Sequence, residues 1–484
     1  MSERRADVIV VGAGSAGAVV ARRLVDAGAL VLLLEAGGRD EHPAIHDPGR
    51  VHELWLSEVD WAYETVPQVH ANGRRLAWPR GKVLGGSSCL NAMIWVRGAP
   101  ADFDTWAYLG ADGWSWEDVR PVYERLESEL GLLTAFEPDP IHVALVEAAR
   151  ECGVPLNGNY NGDAQDGVSF MQFTIRDGVR HSTAAAFIRP AEANPNLEVV
   201  TGAHARRLLF DGTRCVGVEW SSGSARADQI VVSGGTIGSA QLLLLSGVGP
   251  ADQLRSVGVD VVVDLPGVGE NLHDHLLSPV VFSAKREIGP PSPGLPACQT
   301  HLFWRSRPGL PVPDIQPIHF MVPMYEDWMS GPENGFTLLG GIVRPSSRGT
   351  LRLTGPSTDD PVALDPNVLA CEGDFDSLVA AVELCRRIGA ADALHDWDVT
   401  EEYPGSRDVR DYIRQTAITY HHQVGTCKLG TDPLAVVDPR LRVHGVEGLR
   451  VADASVMPMV TTGNTNAPSI MIGDRAATFI LADA

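Results

Sequence analysis

Residues 7–35 constrain the fold more than any other part of this chain. "DVIVV" (7–11) is a short β-branched run suited to a buried strand. "GAGSAG" follows and sets Gly12, Gly14 and Gly17 in G-x-G-x-x-G spacing. "AVVARRLVDAG" then has helical spacing, and "LVLLLEAG" is a second apolar strand reaching Glu35. Strand, glycine turn, helix, strand and terminal acid, in that order, form the βαβ dinucleotide-binding fingerprint. The first glycine permits a tight turn, the second lets backbone approach a pyrophosphate, and the third lets helix and strand pack closely. The helix N-terminus offers N–H groups and partial positive charge to phosphates. Glu35 can accept hydrogen bonds from a ribose diol, and its charge disfavours a 2′-phosphate. The fingerprint leaves NAD and FAD both open.

The chain has 484 residues, more than one hydrophobic core normally carries, so two domains are expected, with interleaving allowed. Its net charge of −22, from 39 basic and 61 acidic residues, disfavours nucleic acid and anionic membrane as partners. The seven cysteines are scattered singly with no CxxC pair, which argues against a disulfide framework or a zinc site. The apolar run "VIVV" near the N-terminus is too short for a signal peptide. No stretch reaches the ~18 apolar residues of a membrane span. A cytoplasmic protein without a metal is expected.

Two more glycine-rich segments stand out. "PRGKVLGGSSCLNAMIWVRG" (79–98) carries Gly81, Gly85, Gly86, Ser87 and Ser88 in a polar turn at which backbone could approach a cofactor. "VVSGGTIGSAQLLLLSGVGP" (231–250) runs from a strand through small residues into an apolar helix with a Gly-Val-Gly-Pro stop. With "LPGVGENLHDH" (265–275), "HQVGTCKLG" (422–430) and "GLRVADASVMPMVTTGNTNAPSIMIGDRAA" (448–477), these segments resemble the glucose-methanol-choline (GMC) flavin oxidoreductases, in the family's order and over nearly the whole chain.

The resemblance implies FAD and alcohol chemistry without a metal. It implies FAD contacts at Gly12, Gly14, Ser15, Ala16, Gly17, Glu35, Ala36, Arg80, Val83, Gly85, Gly86, Ser87, Asn91, Ala92, Met93, Ala205, Ser233, Gly234, Asp453, Ala454, Asn464, Asn466 and Ala467. Some members hold flavin covalently through a histidine in the first signature. Leu90 stands there, so the FAD is expected to be non-covalent. The second signature usually has proline after its serine; Ala240 here is expected to change only the helix start.

The family's catalytic histidine precedes a two-residue gap and Gly-Thr. His422 matches, and His421 takes the place of a common aromatic neighbour. Counting from Asp453 brings the family's second active-site position to Asn464. A neutral imidazole can take a hydroxyl proton near neutral pH. The Asn464 amide can donate a hydrogen bond to the developing alkoxide. The hydride is then expected to pass to flavin N5, with O₂ or another acceptor reoxidising the flavin.

The implied fold is α/β: a Rossmann-like FAD-binding domain (1–155, 195–275 and 415–484) interleaved with an α+β substrate domain (156–194 and 276–414) built on a largely antiparallel sheet. "PDIQPIHFMVPM" (313–324), "TLLGGIVRP" (337–345) and "SRGTLRLTG" (347–355) read as its strands, and 374–391 as a helix packed on them. His319, Met321, Met324, Trp328 and His421 are the expected substrate lining, and the Pro/Gly-rich 287–299 the expected mobile loop over the entrance. That lining favours an uncharged primary alcohol, aromatic, furan-like or pyridoxine-like. No carboxylate-and-aromatic cage for choline stands out. A non-redox lyase of the hydroxynitrile type, or a flavin-dependent decarboxylase, is the alternative on the same fold.

Overall fold

A computed structural model describes residues 4–483. The Arg4–Val11 strand is flanked in parallel by Val31–Leu34 and Gly223–Val232. Leu197–Val200 extends this parallel core on one side, and Leu449–Val451 on the other. Arg214–Trp220 and Ala205–Asp211 add an antiparallel edge. The central strands are buried on both faces, which their unbroken apolar runs require. Helices Ser15–Asp26 and Asn466–Asp483 pack together against it.

The second sheet is antiparallel throughout. Its order is Val399–Tyr403, Leu276–Ala284, Gly335–Ile342, Ile318–Phe320, Cys298–Phe303 and Gly167–Phe170. Helix Glu372–Gly389 lies across it so closely that a Cβ on Gly340 would stand 2.9 Å from Val382 N. The fold is thus the α/β and antiparallel combination expected.

Four local expectations need correction. Among the described residues Thr350–Arg352 pairs only with Ala363–Asp365, outside the large sheet. Ile418–Thr419, assigned to the nucleotide-binding part, pairs with Leu276–Leu277 of the second sheet. Ala240 lies well inside helix Gly235–Leu245 and is fully buried, so the missing proline does not act at the helix start. Segment 287–299 is tied down: Ser292 donates from N and Oγ to the Asp139 carboxylate at 3.1 and 2.5 Å, and Leu295 is buried.

The glycine turn closes by backbone contact. Gly12 has φ +97°, and a Cβ there would stand 2.4 Å from Ser233 O. A Cβ on Gly17 would stand 1.9 Å from Gly12 O, so strand and helix meet with no side chain between them. Gly17→Ala is expected to cost about 1–3 kcal/mol or more through overpacking. Thermal unfolding of the variant beside wild type measures this.

Candidate active site

One cavity joins the two sheets. Its wall includes Gly12, Gly14, Ser15, Ala16, Glu35 and Ala36 from the N-terminal βαβ unit, and Arg80, Gly86, Ser87, Asn91 and Ala92 from the first signature. Ala205, Ser233 and Gly234 line it too, as do Asp453, Ala454, Asn464 and Asn466. Helix Ser15–Asp26 starts at Gly14 with no side-chain cap, so its first N–H groups are free for a phosphate. A Cβ on Gly86 would stand 2.7 Å from Gly14 Cα, which lets two backbone turns meet at that point. Leu90 lines the cavity where a covalent attachment would require a nucleophile. These features fit an anionic dinucleotide held without a covalent bond.

Glu35 is braced before any ligand arrives. Its Oε2 accepts from Ala13 N at 3.0 Å and its Oε1 from Gly37 N at 2.9 Å. Burial pushes its carboxyl up to about 7 while those N–H groups pull it back. Asp453 is also engaged: Oδ2 accepts from Gly235 N (2.8 Å) and Ser239 Oγ (2.5 Å), Oδ1 from Ser455 N (2.8 Å). Its carboxylate pins the helix that begins at Gly235.

His422 sits on the loop leaving Ile418–Thr419. It is 7% exposed and lines the cavity beside Asn464. Asn464 Nδ2 lies 3.2 Å from His422 Nε2, while Gln316 Nε2 donates to Asn464 Oδ1 at 3.1 Å. With its oxygen occupied, the asparagine uses its N–H₂ toward the imidazole. His422 Nε2 is then the lone pair, and Nδ1 carries the proton toward His275 Nδ1 at 3.0 Å. Tyr420 stacks on the His422 ring at 4.7 Å and 19°, and His275 meets it edge-on at 5.2 Å and 90°. Burial, then neighbouring His275, His421 and Arg80, holds His422 well below the usual histidine range. The ring is therefore neutral at ordinary pH and able to accept a proton.

His421 plays a different part. Its φ of 65° is left-handed, which turns consecutive side chains in different directions. Arg80 Nη2 donates to His421 O at 2.8 Å, and Trp55 lies 5.2 Å from its ring. His421 lines the cavity, but the aromatic ring packed on His422 is Tyr420 rather than His421.

Several expected contacts stand behind the cavity wall. Gly17 packs on Gly12. Val83 belongs to a buried apolar cluster, Gly85 N donates to Ala13 O at 2.9 Å, and Met93 is fully buried. Ala467 is buried inside the first turn of its helix. In the substrate part, strand alternation decides: Ile318 and Phe320 face the cavity, so His319 and Met321 point away. His319 instead bonds Thr300 Oγ1 at 2.9 Å. Trp328 is 47% exposed and packs on Tyr403 and Tyr412, away from the cavity. Of that expected set, Met324 and His421 line it.

The sequence reading missed Trp55, Trp61, Tyr63, Phe320 and Tyr420 in the lining, and His275 and Gln316 behind the pair. His275 was visible in "NLHDH", but nothing in the sequence set it against His422.

A nucleotide-binding turn thus opens on a cavity that holds a neutral imidazole beside an amide. The GMC oxidoreductase family description matches residues 6–277 and 345–473. The chain therefore belongs to the GMC oxidoreductases, and its cofactor is FAD. It is 39% identical to mitochondrial choline dehydrogenase of Homo sapiens over 98% of this chain and 89% of that one. It is 38% identical to an uncharacterized GMC-type oxidoreductase of Mycobacterium tuberculosis, covering 99% of each. Pyridoxine 4-oxidase from Mesorbium loti superposes with a TM-score of 0.93 at 34% identity, over 98% of both chains. Formate oxidase from Aspergillus oryzae RIB40 gives a TM-score of 0.91 at 26% identity, over 100% of this chain and 99% of that one. Among the described residues no helix is long and apolar enough to cross a membrane.

Two outcomes follow from this geometry. His275→Ala frees the His422 tautomer and is expected to lower turnover by about 10²-fold while FAD is retained. Steady-state rates and flavin content of the purified variant check it. The second concerns pH. Burial lowers His142 to about 4 and His275, His301, His319 and His421 to about 3. Each binds its proton more weakly folded than unfolded, so its share of stability is full above pH 6.5 and lost as pH falls toward 3–4. Glu35, at about 7, and Asp274, at about 6, act oppositely, losing stability as pH rises through about 4–7. Burial also lowers His181, His204, His273 and His422 and raises Asp102, Glu326 and Asp453, so nine histidines stand against five carboxyls and Tm is expected to drop on acidification below pH 6.5, as a pH series of melts measures.

Proposed function

We propose that this protein oxidises an uncharged primary alcohol to the aldehyde, with His422 as the base and Asn464 as the alkoxide donor. The observation that carries this reading is the Nε2 lone pair of His422 beside the Asn464 amide, 3.2 Å apart on the wall of the FAD cavity. A hydroxyl placed against both groups gives its proton to Nε2 and keeps a hydrogen bond from the amide. Bound FAD supplies the two-electron oxidant, and O₂ or another acceptor restores it. His275 Nδ1 holds the His422 Nδ1 proton away from the substrate throughout.

The wall near this pair supports the substrate class. Ala92, Ile94, Leu277, Ile318, Phe320, Met324, Leu339 and Ile418 form one apolar cluster with Tyr420, the ring stacked on His422. The only carboxylates lining the cavity among the described residues are Glu35 and Asp453, both at ends of the parallel sheet. A quaternary ammonium would find rings there but no anion, so we favour an aromatic, furan-like or pyridoxine-like alcohol over choline.

Anaerobic mixing with benzyl-type, furfuryl, pyridoxine-like and aliphatic alcohols and with choline tests the reading. Bleaching of the yellow flavin band by an uncharged alcohol is the expected result; bleaching by choline alone would overturn the substrate class. No bleaching with any alcohol would favour a lyase. Readmitted air and a peroxide assay then separate oxidase from dehydrogenase. His422→Ala is expected to slow flavin reduction about 10²–10⁴-fold, and a loss under threefold would remove it as base.

A further inference from the structure

Arg180 is buried at 2% exposure, yet its partners are carbonyl and amide oxygens rather than a carboxylate. Nε donates to Ile45 O at 2.7 Å. Nη1 donates to Ser88 O at 3.1 Å, Asn91 O at 2.6 Å and Asn91 Oδ1 at 2.8 Å. Nη2 makes no hydrogen bond among the described residues. Removing a guanidinium from water without an anion is costly, so mere packing is a poor reason for its presence.

Ile45 O lies on the short helix Pro43–His46, while Ser88 O, Asn91 O and Asn91 Oδ1 belong to the loop that lines the FAD cavity. Thr183, three residues on, clasps the same loop: its N donates to Ser88 Oγ at 3.0 Å, and the two hydroxyls lie 2.9 Å apart. Asn91 Oδ1 receives a second hydrogen bond, from Met93 N at 2.9 Å. Both donors are N–H groups with no acceptor character, so the amide oxygen is fixed on the buried side. Asn91 Nδ2 is the other end of that planar amide. No bond is made by it among the described residues, and Asn91 lines the cavity.

We propose that Arg180 is a positioning residue of the FAD site: its guanidinium orients the Asn91 amide so that the N–H₂ is offered to the bound cofactor. Arg180 stands behind the cavity wall and acts through Asn91, which lines it. The inference rests on FAD occupying this cavity, which reconstitution of the wild-type chain with FAD checks separately.

The test uses the full-length chain stripped of flavin and titrated with FAD, with protein fluorescence as the readout. Arg180→Lys keeps the charge and loses the fork; about tenfold weaker FAD binding is expected. In an Asn91→Ala background the same change is expected to add less than twofold, because its route is already gone. Asn91→Asp keeps both acceptor contacts and pairs with the guanidinium but has no N–H₂. It is expected to leave the Tm of the flavin-free chain unchanged or raised while FAD binds about tenfold more weakly. A purely structural role for Arg180 would move melting and FAD affinity together. Wild-type FAD affinity in Arg180→Lys, or an undiminished effect of that change in the Asn91→Ala background, overturns the proposal. Should Arg180→Lys fail to fold, Asn91→Asp decides: unchanged FAD affinity overturns it, and weakened affinity in a chain that melts no earlier supports it.

Discussion

The Asp274 carboxylate is the contact on which the reactive part of this molecule depends. It is buried where the second sheet meets the loop carrying His421 and His422. It accepts from His422 N at 2.8 Å, from Gln423 Nε2 at 3.0 Å and from Thr419 Oγ1. Burial pushes its carboxyl up to about 6, and those donors oppose that rise. Three donors on one buried anion over-determine the loop, which is what a left-handed residue at 421 requires. Next along the chain, His275 reaches the imidazole itself, so one dipeptide fixes both the backbone and the tautomer of His422.

The cavity divides its chemistry by wall. Toward the parallel sheet the surface is backbone N–H, small residues and two braced carboxylates, suited to a polar, charged cofactor. Toward the antiparallel sheet it is aliphatic and aromatic, with polar atoms confined to the His422–Asn464 neighbourhood. A dry surface around one imidazole raises the value of each hydrogen bond made there. Gln316 shows how far the ordering extends: it holds Asn464 Oδ1 and lies 3.1 Å from His301 Nδ1.

Local order in the sequence explains what could be read in advance. The βαβ unit is contiguous, and its glycines occupy places where a side chain would collide with backbone, so pattern and structure coincide. His422 and Asn464 were legible because each lies at a fixed offset within a motif. The substrate wall was not, because it is assembled from short strands whose facing depends on register. A shift of one residue exchanges Ile318 and Phe320 for His319 and Met321, and "QPIHFM" carries no alternation to choose between them. Nor does spacing reveal that residues 275 and 422 meet, since that contact arises from the pairing of Leu276 with Thr419. Arg180 lies in none of the glycine-rich or C-terminal motifs.

The cradle is built from both distant parts of the chain. Leu449–Val451 completes the parallel core beside Gly223–Val232, and Ser15 Oγ donates to Asn466 Oδ1 at 2.7 Å. A Cβ on Gly473 would stand 2.4 Å from Ala16 O, so the last helix seats directly on the first. During synthesis the phosphate turn therefore leaves the ribosome long before its own supporting helix exists. Capture of the coenzyme in this geometry waits for the chain through Gly473, and a nascent chain released before that residue lacks the surface that closes the site.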